Sequence, residues 1–165
     1  ENSRAEFAGK WIPVNSPSSS SSHSPYALPV SFNFQTIGLL RRAMTHSSFS
    51  EENNKALSIL GERVIESTVS LKSLTNDIEM SAKELNHLVT KVSNVEASCA
   101  VDGMKLGLQR VVRVSAKTNS STPAVVCGAF RAVFGAVAVD SGESDEAGSV
   151  FWAVHGGLNG RAVAM

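Results

Sequence analysis

Residues 55–74 read KALSILGERVIESTVSLKSL. Leu57, Leu60, Gly61, Val64, Ile65, Thr68 and Leu71 recur at intervals of three and four, the spacing of one helical face. The stretch therefore predicts an amphipathic helix of about five turns. Upstream, Ile37, Leu40, Ala43 and Met44 predict a helix within Phe34 to His46, with Arg41 and Arg42 turned outward. The polar THSSFSEENN between them supplies a loop and a helix start. Downstream, Ser81 and Glu84 form an S-x-x-E capping box. Leu85, Leu88, Val89, Val92 and Val95 continue that helix toward Cys99, and Gly103 and Gly107 offer stops. Residues 110–114 fit either a short strand or a continuing helix. After the polar AKTNSST, Pro123 suits a first helical turn and opens the apolar run Ala124 to Val139. Asp140, Ser141 and Gly142 end it, and a short helix with Phe151, Trp152 and Val154 closes the domain. Helical periods recur and no alternating pattern does, so the expected fold is an all-α helical bundle.

The chain has 165 residues, the size of one domain with a tail. Fifteen Lys plus Arg balance fifteen Asp plus Glu, which excludes a protein that holds nucleic acid by bulk positive charge. Two cysteines make neither a disulfide scaffold nor a four-thiolate zinc site. The apolar run, 16 positions interrupted by Arg131, falls short of the roughly 20 residues that a bilayer needs, so it reads as a core helix and not a membrane span. Ser16 to Ser24, SPSSSSSHS, cannot offset its ordering entropy, so residues 1–31 read as a disordered Ser/Pro-rich leader before a domain at 32–160. His23 within it reads as solvated. Because the first residue is Glu1, a targeting segment is expected to have been removed, which leaves the secretory pathway and mitochondrion or plastid as destinations.

Taken alone, the residues carry no catalytic signature: no Gly-rich phosphate loop, no H-E-x-x-H and no Cys/His metal spacing. The adjacent His46 and Ser47 read as loop contacts.

Two segments carry a resemblance. Residues 43–66, AMTHSSFSEENNKALSILGERVIE, resemble the signature A-x-T-H-x-S followed by N-E-x-L-E-F-L-G-D-A-V-L-E of the ribonuclease III domain. Residues 127–142, CGAFRAVFGAVAVDSG, are similar to its second motif, A-D-x-F-E-A-L-I-G-A-I-Y-L-D-x-G. The resemblance implies a helical bundle that dimerises and cuts double-stranded RNA with carboxylate-bound Mg²⁺. It also implies a degenerate site. Of the four metal-binding carboxylate positions, Ser58, Gly128 and Arg131 replace acids and Glu62 alone remains acidic. A guanidinium stays charged, and at 4 Å and an effective dielectric of about 20 it repels a dication by roughly 8 kcal/mol. No metal is expected there. Glu62 and Arg131 are expected instead to pair with each other across two helices. Ile59 stands where the family has an aromatic that plugs the partner subunit; Ile is smaller but still apolar, so the resemblance leaves a homodimer open while implying it less strongly.

Smaller signals remain. Asn119-Ser120-Ser121 is an N-glycosylation acceptor triplet. Cys99 and Cys127 read as buried thiols, with a disulfide as the alternative if the chain is secretory. Lys105, Arg110, Arg113 and Lys117 are the candidate RNA contacts, with double-stranded RNA or a protein as the expected partner. No double-stranded-RNA-binding domain is expected after Gly142. The Ser-rich leader and degenerate motifs are similar to a short plant branch of the family, which implies a non-catalytic binding or scaffolding role in nuclear fusion (karyogamy), with no cofactor. The alternative is a double-stranded-RNA endoribonuclease in RNA processing, with residual Mg²⁺-dependent activity on Glu62 and Glu66.

Overall fold

The apolar run after Pro123 forms the helix around which the others are arranged. The computed structural model describes residues 32–158. The leader, 1–31, and the last two positions of the expected domain, 159–160, lie outside the described residues. Six α-helices follow one another: α1 (Ile37–Ala43), α2 (Lys55–Asn76), α3 (Ala82–Ser93), α4 (Ala100–Lys105), α5 (Pro123–Ser141) and α6 (Ser144–Leu158). A π-helical turn, Val95–Cys99, enters α4, and a 3-10 turn, Leu108–Arg110, leaves it. Among the described residues no strand forms, so the fold is the all-α bundle that the periodicity predicts. Residues 110–114 are neither strand nor helix beyond that 3-10 turn; their nearest approach to a sheet is an isolated bridge from Arg113 to Thr45.

Pro123 sits in the first turn of α5, where its missing N–H costs nothing, and Gly142 ends the helix in the left-handed region at φ 77°. The helix runs 19 residues, longer than the apolar run suggests and long enough by composition to cross a membrane. Its surroundings give it another role. Helices α1, α2, α4 and α6 all pack on it and bury ten of its residues, so it is the axis of the core. Phe130, Phe134 and Phe151 meet edge to face along it, at centroid separations of 4.9 and 5.5 Å, a favoured aromatic arrangement.

Helix α2 crosses α5 with the two backbones almost touching. A Cβ on Gly61 would lie 1.8 Å from the Arg131 carbonyl oxygen, and one on Gly135 would lie 2.1 Å from that of Leu57. This contact fixes which face of α2 is buried. Leu57, Gly61, Val64, Ile65 and Val69 turn inward, whereas Leu60 and Leu71, expected on the core face, are 38% and 64% exposed. At about 100° per residue the stripe centres on the Gly61 side, which leaves these two leucines on its shoulder and brings in Val69.

Helix α3 starts at Ser81 with the complete capping box: the Ser81 hydroxyl accepts from the Glu84 N–H at 3.2 Å, and the Glu84 carboxylate accepts from the Ser81 N–H at 3.0 Å. The Ser81 hydroxyl and N–H hold the Glu84 carboxyl below its usual pKa. With the folded pKa lowered, this stabilisation is present above the ordinary glutamate value and fades as pH falls through the lowered one. The protection of the amides in the first turn of α3, relative to their intrinsic exchange at each pH, should therefore fall in acid before that of α5; simultaneous loss would refute the capping role. Gly103, expected to stop a helix, lies inside α4, where a Cβ would meet Val126 Cγ1 at 2.6 Å. Gly107, at φ 75°, does end it. The closing helix α6 is longer than the sequence suggests.

The segment between α1 and α2 is built by the matched polar residues. Thr45 Oγ1 donates to the Arg41 carbonyl at 2.7 Å and Asn54 Nδ2 to that of Ala43 at 3.2 Å. His46 Nδ1 accepts from the Ser48 N–H at 3.1 Å, and Ser48 Oγ in turn accepts from the Ser115 N–H at 3.1 Å. Asp140 accepts from the N–H groups of Gln35 and Thr36 at 2.7 and 2.8 Å, pinning the entry to α1 against the end of α5. Cys99 and Cys127, read first as free thiols, are joined as a disulfide, with Cα atoms 5.0 Å apart. The π-helical turn brings Cys99 against the start of α5, where both residues are buried.

Candidate functional site

Glu62 projects from α2 one residue beyond the Gly61 crossing, and Arg131 projects from α5 at the same crossing. The two meet: Arg131 Nη2 lies 2.9 Å from Glu62 Oε1, and the side chains are only 16% and 24% exposed. The same nitrogen donates to the backbone carbonyl of Ser93 at 2.7 Å. Ser93 is the last residue of α3, so that carbonyl is one the helix itself leaves unpaired, and a cation is favoured there. Ser93 Oγ donates to Glu66 Oε1 at 3.2 Å, and Arg63 Nη1 holds Glu66 Oε2 at 2.6 Å. Three helices are thus tied by two arginines, two glutamates and a serine.

The arrangement holds itself together and offers little to a cation. By helical register Ser58 and Gly128 lie one turn before Glu62 and Arg131. Ser58 supplies a hydroxyl, and Gly128 opens onto space with nothing within 4 Å of where its Cβ would be. Among the described residues no three His, Cys, Asp or Glu side chains gather as a metal site requires. The carboxylates of Glu62 and Glu66 are each taken by an arginine. These residues do not fit a divalent cation.

The other sequence candidates are dispersed. Lys105 pairs with Asp102 at 3.6 Å. The Arg113 guanidinium donates to Thr45 Oγ1 and to the Arg41 carbonyl, and lies 5.2 Å from the Phe49 ring centroid, so it braces the loop after α1. Arg110, Lys117 and Asn119 are exposed. Ile59 is 62% exposed on the outer side of α2. The sequence reading missed one polar pair: Asp102, buried in α4, lies 2.5 Å from His155 Nδ1 on α6, and the His155 ring stacks on Phe151 at 5.2 Å. An aspartate set between Val101 and Gly103 in a short helix was its available signal.

Residues 36–152, which hold all six helices but the last turns of α6, match the family model described as ribonuclease-III-like. The chain belongs to the ribonuclease-III-like family. Among ribonuclease-III-like relatives, it is 57% identical to Protein NUCLEAR FUSION DEFECTIVE 2 of Arabidopsis thaliana over 82% of this chain and 71% of that one. It is 34% identical to Ribonuclease 3 of Pelotomaculum thermopropionicum and 28% identical to that of Phenylobacterium zucineum, and spans about half the length of each (50% and 51%). The nuclease domain of ribonuclease III from Campylobacter jejuni superimposes with a TM-score of 0.72 at 22% identity, covering 80% of this chain and 91% of that one. A second structure of that domain, described for flexibility in a region involved in its dimer formation, gives 0.71, covering 76% and 90%. The ribonuclease-III-like motifs map onto the loop after α1, α2 and α5, and the Glu62–Arg131 pair stands within them.

Proposed function

We propose that this chain is a ribonuclease-III-like domain that has given up cleavage and acts by binding, in the nuclear fusion that its Arabidopsis relative's name records. The observation that carries this reading is Arg131, whose guanidinium occupies the Glu62 carboxylate and the Ser93 carbonyl at once. A fixed cation with both its partners satisfied stands among the positions where the chemistry needs carboxylates. The purified chain should leave double-stranded RNA intact in Mg²⁺ or Mn²⁺ under conditions in which a bacterial ribonuclease III digests it. Mg²⁺-dependent cleavage abolished by Glu62→Gln would establish the alternative, a residual nuclease.

The binding face we favour is the outer side of α2, where Ile59 and Leu60 are exposed side by side. Apolar side chains on a helix already anchored to the core suit a second copy of the chain. Ile59→Asp should shift a concentration-dependent dimer to monomer in sedimentation, weakening association at least tenfold while the melting temperature of the monomer holds. A chain that is monomeric at all concentrations would remove this interface. RNA contact is the lesser reading. It rests on Arg110 and Lys117, and is tested by retention of double-stranded RNA that Arg110→Glu with Lys117→Glu abolishes.

A further inference from the structure

We infer that Asn119 carries an N-linked glycan, added where the Cys99–Cys127 disulfide is also formed. Asn119-Ser120-Ser121 is the one Asn-x-Ser/Thr triplet in the sequence, and its middle residue is not Pro. It lies in the exposed loop before α5. The Ser121 N–H donates to Asn119 Oδ1 at 2.9 Å, closing an Asx turn that folds the third residue of the triplet back onto the acceptor amide. The Thr122 N–H and hydroxyl both donate to the Asn119 carbonyl, at 3.2 and 3.0 Å, so the turn is fixed by its own backbone and by Pro123. No core side chain depends on Asn119, so a bulky, solvated adduct displaces nothing.

The disulfide is an independent observation that points to the same compartment. Its two sulfurs come from separate elements, the π-helical turn and α5, and both residues are buried. The described chain retains no free cysteine. Such bonds persist where the surroundings are oxidising, which is where Asn-x-Ser triplets are glycosylated. In the transfer, Asn119 Nδ2 attacks C1 of an oligosaccharide linked to a lipid diphosphate. The new N–C1 bond replaces the C1–O bond, the diphosphate leaves with the electron pair, and one amide proton passes to a base. In forming the disulfide, the two thiols lose two electrons and two protons to a disulfide-bearing oxidant, which becomes a dithiol. The glycan stands two residues from Lys117 and shields that lysine from a polyanion.

The test uses the chain as made in its own cells, alkylated in denaturant without reduction and then treated with peptide-N-glycosidase. The expected result is a mobility shift with conversion of Asn119 to Asp, and no alkylation at Cys99 or Cys127 until a reductant is added. Ser121→Ala should abolish the shift, although it keeps Asn119 and the backbone N–H of the turn, which separates glycan addition from any structural role of the asparagine. A chain with unmodified Asn119 overturns the inference. So do cysteines that alkylate before reduction, or a shift that survives Ser121→Ala.

Discussion

Gly135→Ala should lower the unfolding free energy by about 3 kcal/mol or more, and Gly61→Ala on the facing helix, whose Cβ would come closer still to backbone, by at least as much. The new Cβ at Gly135 would fall 2.1 Å from the Leu57 oxygen, 2.9 Å from the Leu57 carbonyl carbon and 3.1 Å from the Gly61 nitrogen. These are backbone atoms of a 22-residue helix and cannot rotate aside. The helices must move apart, and Phe134 and Val137 on either side of the contact lose their close packing. Native domains are stable by about 5–15 kcal/mol in total, so the loss is a large share of the whole. Gly128→Ala on the same helix is the control, because nothing lies within 4 Å of its Cβ position. It should be neutral or stabilising by up to about 1 kcal/mol through helix propensity. Urea unfolding reads both, and equal effects would mean that the α2–α5 contact is looser than described.

Arg131→Ala should cost about 2–3 kcal/mol, because it strands Glu62 and the Ser93 carbonyl together. Removing both members of the pair should cost less than the two single losses combined. The double-mutant cycle with Glu62→Ala therefore reports a coupling energy, and additivity would show that the pair contributes nothing. The reverse experiment restores acids: Ser58→Glu, Gly128→Asp and Arg131→Glu in one chain. That variant should be destabilised in chelator by like charges near Glu62 and should melt higher as Mg²⁺ is added, by mass action on the folded state. The native chain should not respond. A Mg²⁺-dependent rise in the native chain would refute the reading of the site.

Much of this was legible in the sequence because it is local. The α2 period, the Ser81–Glu84 box, Pro123 at the start of α5 and Gly142 at its end are decided by residues within one or two turns of each other. The Glu62–Arg131 meeting was legible from the two motif positions. What was not legible depends on contacts distant in the chain. Leu60 and Leu71 look like core residues until the Gly61–Gly135 contact rotates the stripe past them. Gly103 looks like a stop until Val126 is packed against it. Ser93 joins the arginine through a backbone carbonyl 38 residues away, and a carbonyl leaves no mark in a side-chain pattern. The cysteines were read as thiols because their state depends on how the π-helical turn meets α5.

The bond from Arg131 to Ser93 also bears on history. A carboxylate at position 131 would leave the end of α3 unpaired and face Glu62 with a like charge until a cation came between them. Reversion at position 131 therefore passes through a less stable chain, and selection for folding alone would resist it. The guanidinium works as a ratchet: once it has been built into the packing, the stability of the bundle holds a cation at position 131.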